Sequence, residues 1–183
     1  MSNLSVNNEI TLHPVSMDMA QEIFKAVDSD RDHLRKWLPW VDITRTVNDT
    51  KAFCEMCSEQ LKAGKGYQFC ISYKGKVVGG LGQHDIDEKN KKTSLGYWLH
   101  SDYTGKGIMT QSCEAFIRYI FEVQKLNRIE LRAATENIPS KKIAQRLGFK
   151  PEGISRQAEW IGDRVLDHQI YALLKSEWDE LNN

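Results

Sequence analysis

The sequence predicts a mixed α/β (α+β) domain, with one central sheet of about seven strands and helices on both faces of the sheet. Two observations predict this class. Three strand-like runs follow one another between residues 66 and 100 with only short polar stretches between them, which favours an antiparallel meander. The chain after residue 107 alternates helix and strand patterns, and strand–helix–strand units cross over right-handedly to a parallel neighbour. A sheet that satisfies both patterns is mixed.

The first third of the chain is predicted to supply one strand and three helices. These are a strand over 9–15, short helices over 17–30 and 32–40, and an amphipathic helix over 46–64. Pro39 stops the second helix, because proline lacks the N–H that a helix interior needs. Thr46 and Asp49 have the spacing of a capping box, so the third helix begins there.

The rest of the chain is predicted to supply six strands and two helices. The strands are 66–74, 76–87, 92–100, 128–134 and two within 149–175; the helices begin near 108 and 139. Apolar side chains mark the first of these helices by their spacing: Met109, Cys113, Phe116, Ile117, Ile120 and Phe121. Gly148 suits a left-handed cap at the end of the second helix, and Gly162-Asp163 suits the turn between the last two strands.

Length and charge limit the classes of function. The 183 residues fit a single domain, which we place at 8–175, with a C-terminal tail over 176–183. The formal net charge is zero, which argues against a general nucleic-acid-binding protein, because such proteins carry a basic excess. The first twenty residues lack an apolar segment of signal-peptide length, and no run approaches the ~20 apolar residues of a membrane span. We expect a cytoplasmic protein that contacts neither membrane nor nucleic acid.

Two of the four cysteines, Cys54 and Cys57, form a C-x-x-C pattern. Such a pair serves redox chemistry or provides half of a zinc site. No second C-x-x-C or H-x-x-x-H completes a set of metal ligands, and the pair lies within the amphipathic helix. We expect reduced cysteines packed on that helix and no metal, while a redox role stays open.

A glycine turn, Gly105-Lys106-Gly107, stands directly before an apolar-periodic run. Glycine permits positive φ angles, so several backbone N–H groups are free to point at one anion where the helix begins. The lack of G-x-x-x-x-G-K-[ST] argues against a Walker loop. Met109 and Thr110 stand where a dinucleotide fingerprint wants a third glycine. A phosphate site and a plain tight turn both fit this motif.

Four segments together resemble the GNAT superfamily of acetyl-CoA-dependent N-acetyltransferases, and most closely its branch that acetylates the N-terminal alanine or serine of ribosomal proteins. The segments are LRKWLPWVD (34–42), LGYWLHSDYTGKGIMTQS (95–112), TENIPSKKIAQRLGF (135–149) and QAEWIGDRVLDHQIYAL (157–173). The resemblance covers about residues 8–175 and implies the GNAT fold for the mixed sheet predicted above.

The resemblance implies that the glycine turn binds the pyrophosphate of acetyl-CoA, the co-substrate. The residues that match the superfamily signature are Thr104, Gly105, Lys106, Gly107, Ile108 and Met109. Thr104 and Met109 depart from its pattern Q/R-x-x-G-x-G/A, which matters little where backbone N–H groups bind the phosphates. The resemblance also implies that the preceding strand splays from its neighbour. The backbone of Leu99 would then bind the acetyl oxygen, and Asn137 would contact the CoA arm; the Leu99 side chain is most simply a core residue.

Two further matches concern proton transfer. In the broader superfamily a tyrosine protonates the leaving thiolate, but Ala144 stands at that position. The resembled branch uses a serine, which matches Ser140; the alternative is an ordinary residue of the first helical turn. Glu159 matches the base that deprotonates the amine. Between Ala158 and Trp160 its carboxylate would be desolvated and hence more basic, whereas the alternative is a surface glutamate in a hairpin.

Two tryptophans, Trp37 and Trp40, flank Pro39. The resemblance implies that their segment walls the acceptor site, and the alternative is plain core packing. The histidines have no partner visible in the sequence, and we treat the following three as structural: His84, His100 and His168.

The favoured function is direct transfer of acetyl from acetyl-CoA to the N-terminal α-amine of a protein, with a ribosomal protein as the leading acceptor. A small-molecule N-acetyltransferase that acts on a polyamine or antibiotic is one alternative, and a non-catalytic CoA-binding module is another. The sequence does not identify the acceptor. A pocket completed by a second subunit, as in a homodimer, also stays open.

Overall fold

The computed structural model describes residues 2–182, whose strands form one eight-stranded sheet. The strands are β1 (Leu4–Ser5), β2 (Ile10–Pro14), β3 (Tyr67–Tyr73), β4 (Lys76–Asp87), β5 (Lys92–Leu99), β6 (Arg128–Ala134), β7 (Lys150–Ile161) and β8 (Arg164–Leu174). The α-helices are α1 (Ala20–Asp28), α2 (Arg31–Leu34), α3 (Val47–Lys62), α4 (Ile108–Glu122), α5 (Ile138–Arg146) and α6 (Lys175–Asn182). Short 3-10 turns lie at Met17–Met19, Pro39–Asp42 and Ser101–Tyr103. None of the helices within residues 2–182 is long and apolar enough to cross a membrane.

The sheet has the strand order β1-β2-β3-β4-β5-β6-β8-β7. Every neighbouring pair is antiparallel except β5 and β6, which are parallel because the crossover through α4 joins them. The predicted mixed sheet and the predicted meander of β3, β4 and β5 are both confirmed.

Two layers of apolar side chains cover the two faces of the sheet. On one face α4 packs against β3, where the rings of Phe69 and Phe116 meet edge to face with centroids 5.0 Å apart. On the other face Cys54 and Cys57 of α3 pack with Cys70 of β3. Neighbouring residues of β3 therefore point to opposite faces, as its alternating sequence predicts.

The predicted caps are present. The Asp49 carboxylate accepts from the Thr46 backbone N–H at 2.8 Å, and the Thr46 hydroxyl accepts from the Asp49 N–H, which completes the capping box. Gly148 follows α5 with a φ of 83°, and β7 turns into β8 at residues 162 and 163. These features confirm that local side-chain chemistry sets the ends of α3, α5 and β7.

The prediction of one helix over 32–40 is wrong in its extent. α2 ends at Leu34, and a separate 3-10 turn begins at Pro39. Leu38 is extended, with φ −129° and ψ 104°, because a following proline disfavours helical backbone in the residue before it. The proline therefore divides this segment into two short pieces, which leaves Trp37 and Trp40 on different pieces.

The ordered unit is longer at both ends than the predicted 8–175. β1 pairs with β2 before residue 8 and supplies the eighth strand. Residues 175–182, expected largely as a tail, form α6 instead. Trp178 of α6 is 4% exposed and lies against Phe121, with ring centroids 6.2 Å apart. Burial of this indole explains why the C-terminal segment docks on the core.

Candidate active site

β5 and β6 diverge after four paired residues. Their parallel pairing ends at Leu95 and Leu131. Beyond that point β5 stays paired with β4 as far as Leu99, and β6 stays paired with β8. Within the described chain no strand pairs with residues 96–99 on their β6 side, so backbone groups of β5 face a gap there. Unpaired strand backbone of this kind binds an extended ligand as an added strand does. The splay expected beside Leu99 is present.

The glycine turn links this gap to the start of α4. Gly105 and Gly107 both have φ of 74°, a backbone conformation that favours glycine. Gly107 is the N-cap of α4, and no side chain caps the helix there. Within residues 2–182 nothing lies within 4 Å of the position that a Cβ on Gly105 would occupy, so the turn is open. Free N–H groups, glycine backbone and open space together fit a bound phosphate.

The other residues of the turn hold its shape. Thr104 donates its hydroxyl to the Ser101 carbonyl at 2.8 Å. The Lys106 ammonium donates to the Asp102 carbonyl at 2.8 Å. The side chains of the next two residues, Ile108 and Met109, are buried in the core. Backbone groups are therefore what this turn presents outward, so its departures from the superfamily pattern leave the backbone geometry that a phosphate would need.

The first turn of α5 contacts β5 through two hydroxyl groups. The side-chain Oδ1 of Asn137 accepts from the Ser140 N–H at 3.2 Å and thereby caps α5. The Tyr97 hydroxyl lies 2.9 Å from Ser140 Oγ and 3.3 Å from the Ser140 carbonyl oxygen. Burial raises the pKa of Tyr97, so this phenol stays neutral at physiological pH and remains a hydrogen-bond donor. Ala144 is fully buried, so α5 has no space there for the tyrosine of the broader superfamily.

Sequence reasoning missed Tyr97 although a signal was available. Tyr97 precedes Leu99 by two residues on β5, and side chains two apart on a strand share one face. The sequence therefore indicated that the Tyr97 hydroxyl lies on the same face of β5 as Leu99. That this hydroxyl meets Ser140, which lies 43 residues away in sequence, is not revealed by any local pattern.

Glu159 lies on β7 and has an ionisable neighbour. Its Oε2 is 3.3 Å from Nε2 of His168 on β8, and the two side chains are 32% and 15% exposed. The Glu159 side chain is therefore half-buried in a hairpin. This environment is intermediate between the desolvated site and the surface position that the sequence left open. His168 is not isolated, and counting back from the Gly162 turn would have placed it near Glu159. Within residues 2–182 no hydrogen bond or ion pair joins this pair to Ser140, so the two residues predicted to transfer protons, Glu159 and Ser140, belong to separate side-chain clusters.

The segment with the two tryptophans spans the gap between β5 and β6. Trp40 meets Trp98 of β5 edge to face, with ring centroids 6.2 Å apart. Trp37 packs instead on Ala134 at the end of β6 and on Leu166 of β8. Leu166 lies directly opposite Glu159 in the hairpin. The segment from Trp37 to Trp40 thus covers the gap, and we call it the roof. It connects the β5 side of the gap to the hairpin that carries the Glu159 carboxylate.

An open cavity of about 430 Å³ lies beside this roof, between α3 and the strands β3, β4 and β5. Trp40 and Trp98 both line it. Neighbouring Tyr97 also lines it while its hydroxyl reaches Ser140. The strand β5 therefore borders both the cavity and the gap.

The cysteine pair is placed in the core and not at this site. Cys54 and Cys57 are buried, and burial raises the pKa of the Cys57 thiol to about 12. A thiol with so high a pKa is not a thiolate at neutral pH, which makes it a poor redox group. Residues 2–182 contain no group of three or more His, Cys, Asp or Glu side chains that could hold a metal ion.

Known proteins share this architecture. The family described as Acetyltransferase (GNAT) domain matches residues 9–150. YdaF of Bacillus subtilis (strain 168) is 29% identical over 180 residues, with 98% of each chain covered. The ribosomal-protein-serine acetyltransferase of Escherichia coli (strain K12) is 25% identical, with 92% of this chain and 94% of that protein covered.

Solved structures agree with the sequence matches. The crystal structure of the microcin C7 self-immunity acetyltransferase MccE, in complex with acetyl-CoA and AMP, superposes with a TM-score of 0.91. That protein is 28% identical, and the match covers 94% of this chain and 96% of the other. A family match over most of the chain, in which the diverging strands and the glycine turn described above both lie, shows that this chain belongs to the GNAT acetyltransferase family.

Proposed function

We propose that the protein transfers the acetyl group of acetyl-CoA to the N-terminal α-amine of a protein, and that this acceptor is a ribosomal protein in the cytoplasm. The observation that carries the proposal is the divergence of β5 and β6, which leaves backbone groups near Leu99 free beside the open glycine turn. The match to a ribosomal-protein-serine acetyltransferase over nearly the whole chain supports the choice of acceptor.

The donor lies across the gap in this proposal. Its pyrophosphate meets the N–H groups of the glycine turn and the first turn of α4. The pantetheine arm pairs with β5, and the thioester oxygen accepts from backbone N–H near Leu99, which stabilises the oxygen as it gains negative charge. Asn137 borders the arm from α5.

The transfer itself is a direct attack. The neutral amine nitrogen forms a bond to the acetyl carbon while the carbon–sulfur bond breaks. The surplus proton of the amine passes to Glu159, directly or through water, and the leaving thiolate takes a proton from Ser140. Exchange with water then returns a proton to Ser140 and removes the one that Glu159 gained. An α-amine has an ordinary pKa of ~8, so a carboxylate is a sufficient base for it, whereas a lysine side chain at ~10.4 is harder to deprotonate.

The decisive measurement is turnover with intact ribosomal proteins and acetyl-CoA, with mass spectrometry to locate the acetyl group. We expect acetyl groups on the α-amines of N-terminal residues only. A matched set of acceptors whose α-amines are formylated, with their lysines left free, is expected to stay unmodified. Acetylation of lysines, or activity with polyamines alone, contradicts the proposed acceptor. Tight acetyl-CoA binding without any turnover supports a CoA-binding module instead.

A further inference from the structure

We propose that the cavity under α3 is a specificity pocket for a bulky, uncharged side chain, aromatic or branched aliphatic, on the residue that carries the reacting amine. The inference rests on the proposed function, because it takes the acceptor amine to lie beside β5. It goes beyond that function by naming the kind of N-terminal residue that the protein selects, and this residue differs from the serine named for the matched Escherichia coli acetyltransferase.

The position of the cavity connects it to the reacting atoms. Its lining includes Gly96, Tyr97 and Trp98, the three residues of β5 that precede Leu99. The same strand borders the gap into which the thioester is placed. A side chain attached to the carbon next to the amine therefore has this cavity as its nearest enclosed space on the α3 face of the sheet.

Three glycines give the cavity its depth. Gly82 pairs with Gly96 across β4 and β5, and Gly80 pairs with Trp98. A Cβ on Gly80 would collide with the Trp98 indole, and one on Gly82 would collide with the Gln68 side chain. Because these Cβ atoms are missing, planar side chains lie flat on the sheet and leave room above them. An ordinary strand surface would fill that room with its own side chains.

The wall opposite the glycines is apolar and uncovered. Phe53 and Met56 of α3 line the cavity, yet they are 39% and 46% exposed. Their neighbours in the sequence, Cys54 and Cys57, are buried in the core. A ligand that covers apolar surface of this kind is bound more tightly, because that surface is removed from water. An acceptor with a small side chain such as serine would leave most of it in water.

The lining carries no fixed charge. Within residues 2–182 no Asp, Glu, Lys or Arg lines the cavity. Partial burial of its ring lowers the pKa of His84, the remaining titratable lining group with an acid–base transition near neutrality. A second ammonium group, on a lysine side chain or a polyamine, would lose water there without gaining a carboxylate. The cavity therefore disfavours cationic and anionic acceptor side chains alike.

The polar side chains of the lining are uncharged amide, hydroxyl and imidazole groups: Thr44, Thr50, Gln60, Gln68 and His84. Thr50 is 2% exposed and its hydroxyl is closed off from the cavity. The remaining groups are able to hydrogen-bond a phenol or an indole without requiring a charge on the acceptor side chain.

The first test varies only the N-terminal residue of one peptide. We expect kcat/KM for peptides that begin with Phe, Tyr or Leu to exceed that for Ser or Ala at least tenfold, the scale on which hydrophobic pockets discriminate (about 10–200-fold). Peptides that begin with Lys or Glu are expected to be poorer still. Equal or higher kcat/KM for Ser, Ala, Lys or Glu overturns the pocket.

Tryptophan fluorescence separates failure of the pocket from failure of the proposed function. Trp40 and Trp98 line the cavity, so a Phe-initiated peptide is expected to change their emission on binding, more strongly than its Ser-initiated counterpart. Such binding without turnover keeps the pocket and refutes N-terminal acetylation. Turnover without side-chain preference keeps the proposed function and refutes the pocket. Neither binding nor turnover refutes both.

The second test changes the charge of the wall. Met56→Glu places a carboxylate at the cavity, and Met56→Gln is its uncharged match in length. We expect Met56→Glu alone to shift the ratio of kcat/KM for Lys- over Phe-initiated peptides upward, at least tenfold. Val123→Glu at the exposed end of α4 adds the same charge far from the lining and is expected to leave the ratio unchanged. An equal shift in the Gln variant, or no shift in the Glu variant with a native melting temperature, contradicts the inference.

Discussion

At the scale of single residues, Ser140 is the most constrained polar side chain of the proposed donor site. Its N–H donates to Asn137 and its hydroxyl contacts the Tyr97 phenol, so both its backbone and its side chain are positioned. An alcohol is a weak acid, and a phenol that donates to its oxygen stabilises the charge left when the proton departs. Tyr97 is therefore a positioning residue that acts through Ser140.

A double-mutant cycle tests this pair. Ser140→Ala is expected to lower the single-turnover rate by ~10²–10⁴-fold, the usual range for a general acid, with little change in acetyl-CoA affinity. Tyr97→Phe should lower it less, by roughly fivefold, since one hydrogen bond contributes about 1 kcal/mol. In the Ser140→Ala background, Tyr97→Phe should cost almost nothing. Equal losses from Tyr97→Phe in both backgrounds mean that the phenol does not act through Ser140.

The proposed role of Glu159 as a base predicts how kcat/KM depends on pH. Glu159→Gln keeps the shape and removes the basicity, so kcat/KM should fall while acetyl-CoA binding stays normal. The loss should shrink as pH rises toward the amine pKa of ~8, because deprotonation without assistance becomes common there. Glu88→Gln, on an exposed loop between β4 and β5, is the matched control. Superimposable pH–rate profiles for wild type and Glu159→Gln would remove Glu159 from the proposed mechanism.

At the scale of elements, the start of α4, which no side chain caps, gives a prediction for acetyl-CoA affinity. Gly107→Val introduces a side chain at a φ of 74°, where its Cβ would lie 3.2 Å from Gln111 Nε2, and fills space needed by the pyrophosphate. We expect acetyl-CoA affinity, measured by calorimetric titration, to fall at least tenfold, about 1.4 kcal/mol. Gly162→Val imposes a similar backbone strain at a φ of 58° in the β7–β8 turn. Unchanged affinity in Gly107→Val, or an equal loss in Gly162→Val, rules out the turn as the phosphate site.

The docked C-terminal helix predicts a stability effect. Trp178 is buried against Phe121, so Trp178→Ala should lower the free energy of unfolding by roughly 3–5 kcal/mol, as large-to-small changes in a core do. Glu180→Ala, at an exposed position of the same helix, should change it by less than about 0.5 kcal/mol. Urea denaturation monitored by circular dichroism measures both. Similar stabilities for the two variants would mean that α6 adds nothing to the fold.

At the scale of the whole molecule, the proposed function places donor and acceptor on opposite faces of the sheet. α4 and α5 cover one face and bring the glycine turn and Ser140 to the gap, while α1 and α3 cover the other face and enclose the cavity. The segment with Trp37 and Trp40 spans the gap on the cavity side. In this arrangement the amine and the thioester approach each other through the divergence of β5 and β6.

This separation predicts different kinetic effects for the two faces. Trp37→Ala should raise the acceptor KM several-fold, because its ring joins the roof to the hairpin that carries Glu159. The acetyl-CoA dissociation constant should stay within about twofold, since donor binding is assigned to the other face. Steady-state kinetics with an N-terminal peptide and calorimetry with acetyl-CoA measure the two quantities. A parallel weakening of donor and acceptor binding contradicts the division between the faces.

The sequence by itself determined the features that depend on near neighbours along the chain. Apolar periodicity located the strands from β2 onward and the helices α3, α4 and α5, since a helix or strand shows its buried face within a few residues. The Thr46 cap and the Gly162 turn follow from contacts three or fewer residues apart. The resemblance to acetyltransferases rested on such local segments as well, and the family match confirmed it.

Only the tertiary structure decided how the segments meet. The register of β5 with β6, the contact of Tyr97 with Ser140 and the assignment of Trp37 and Trp40 to opposite sides of the gap join residues distant in sequence. The docking of α6 likewise needed the Phe121 surface that the folded core presents. Local patterns state which side chains must be buried but not against which partner, because that choice depends on the packing of the whole chain.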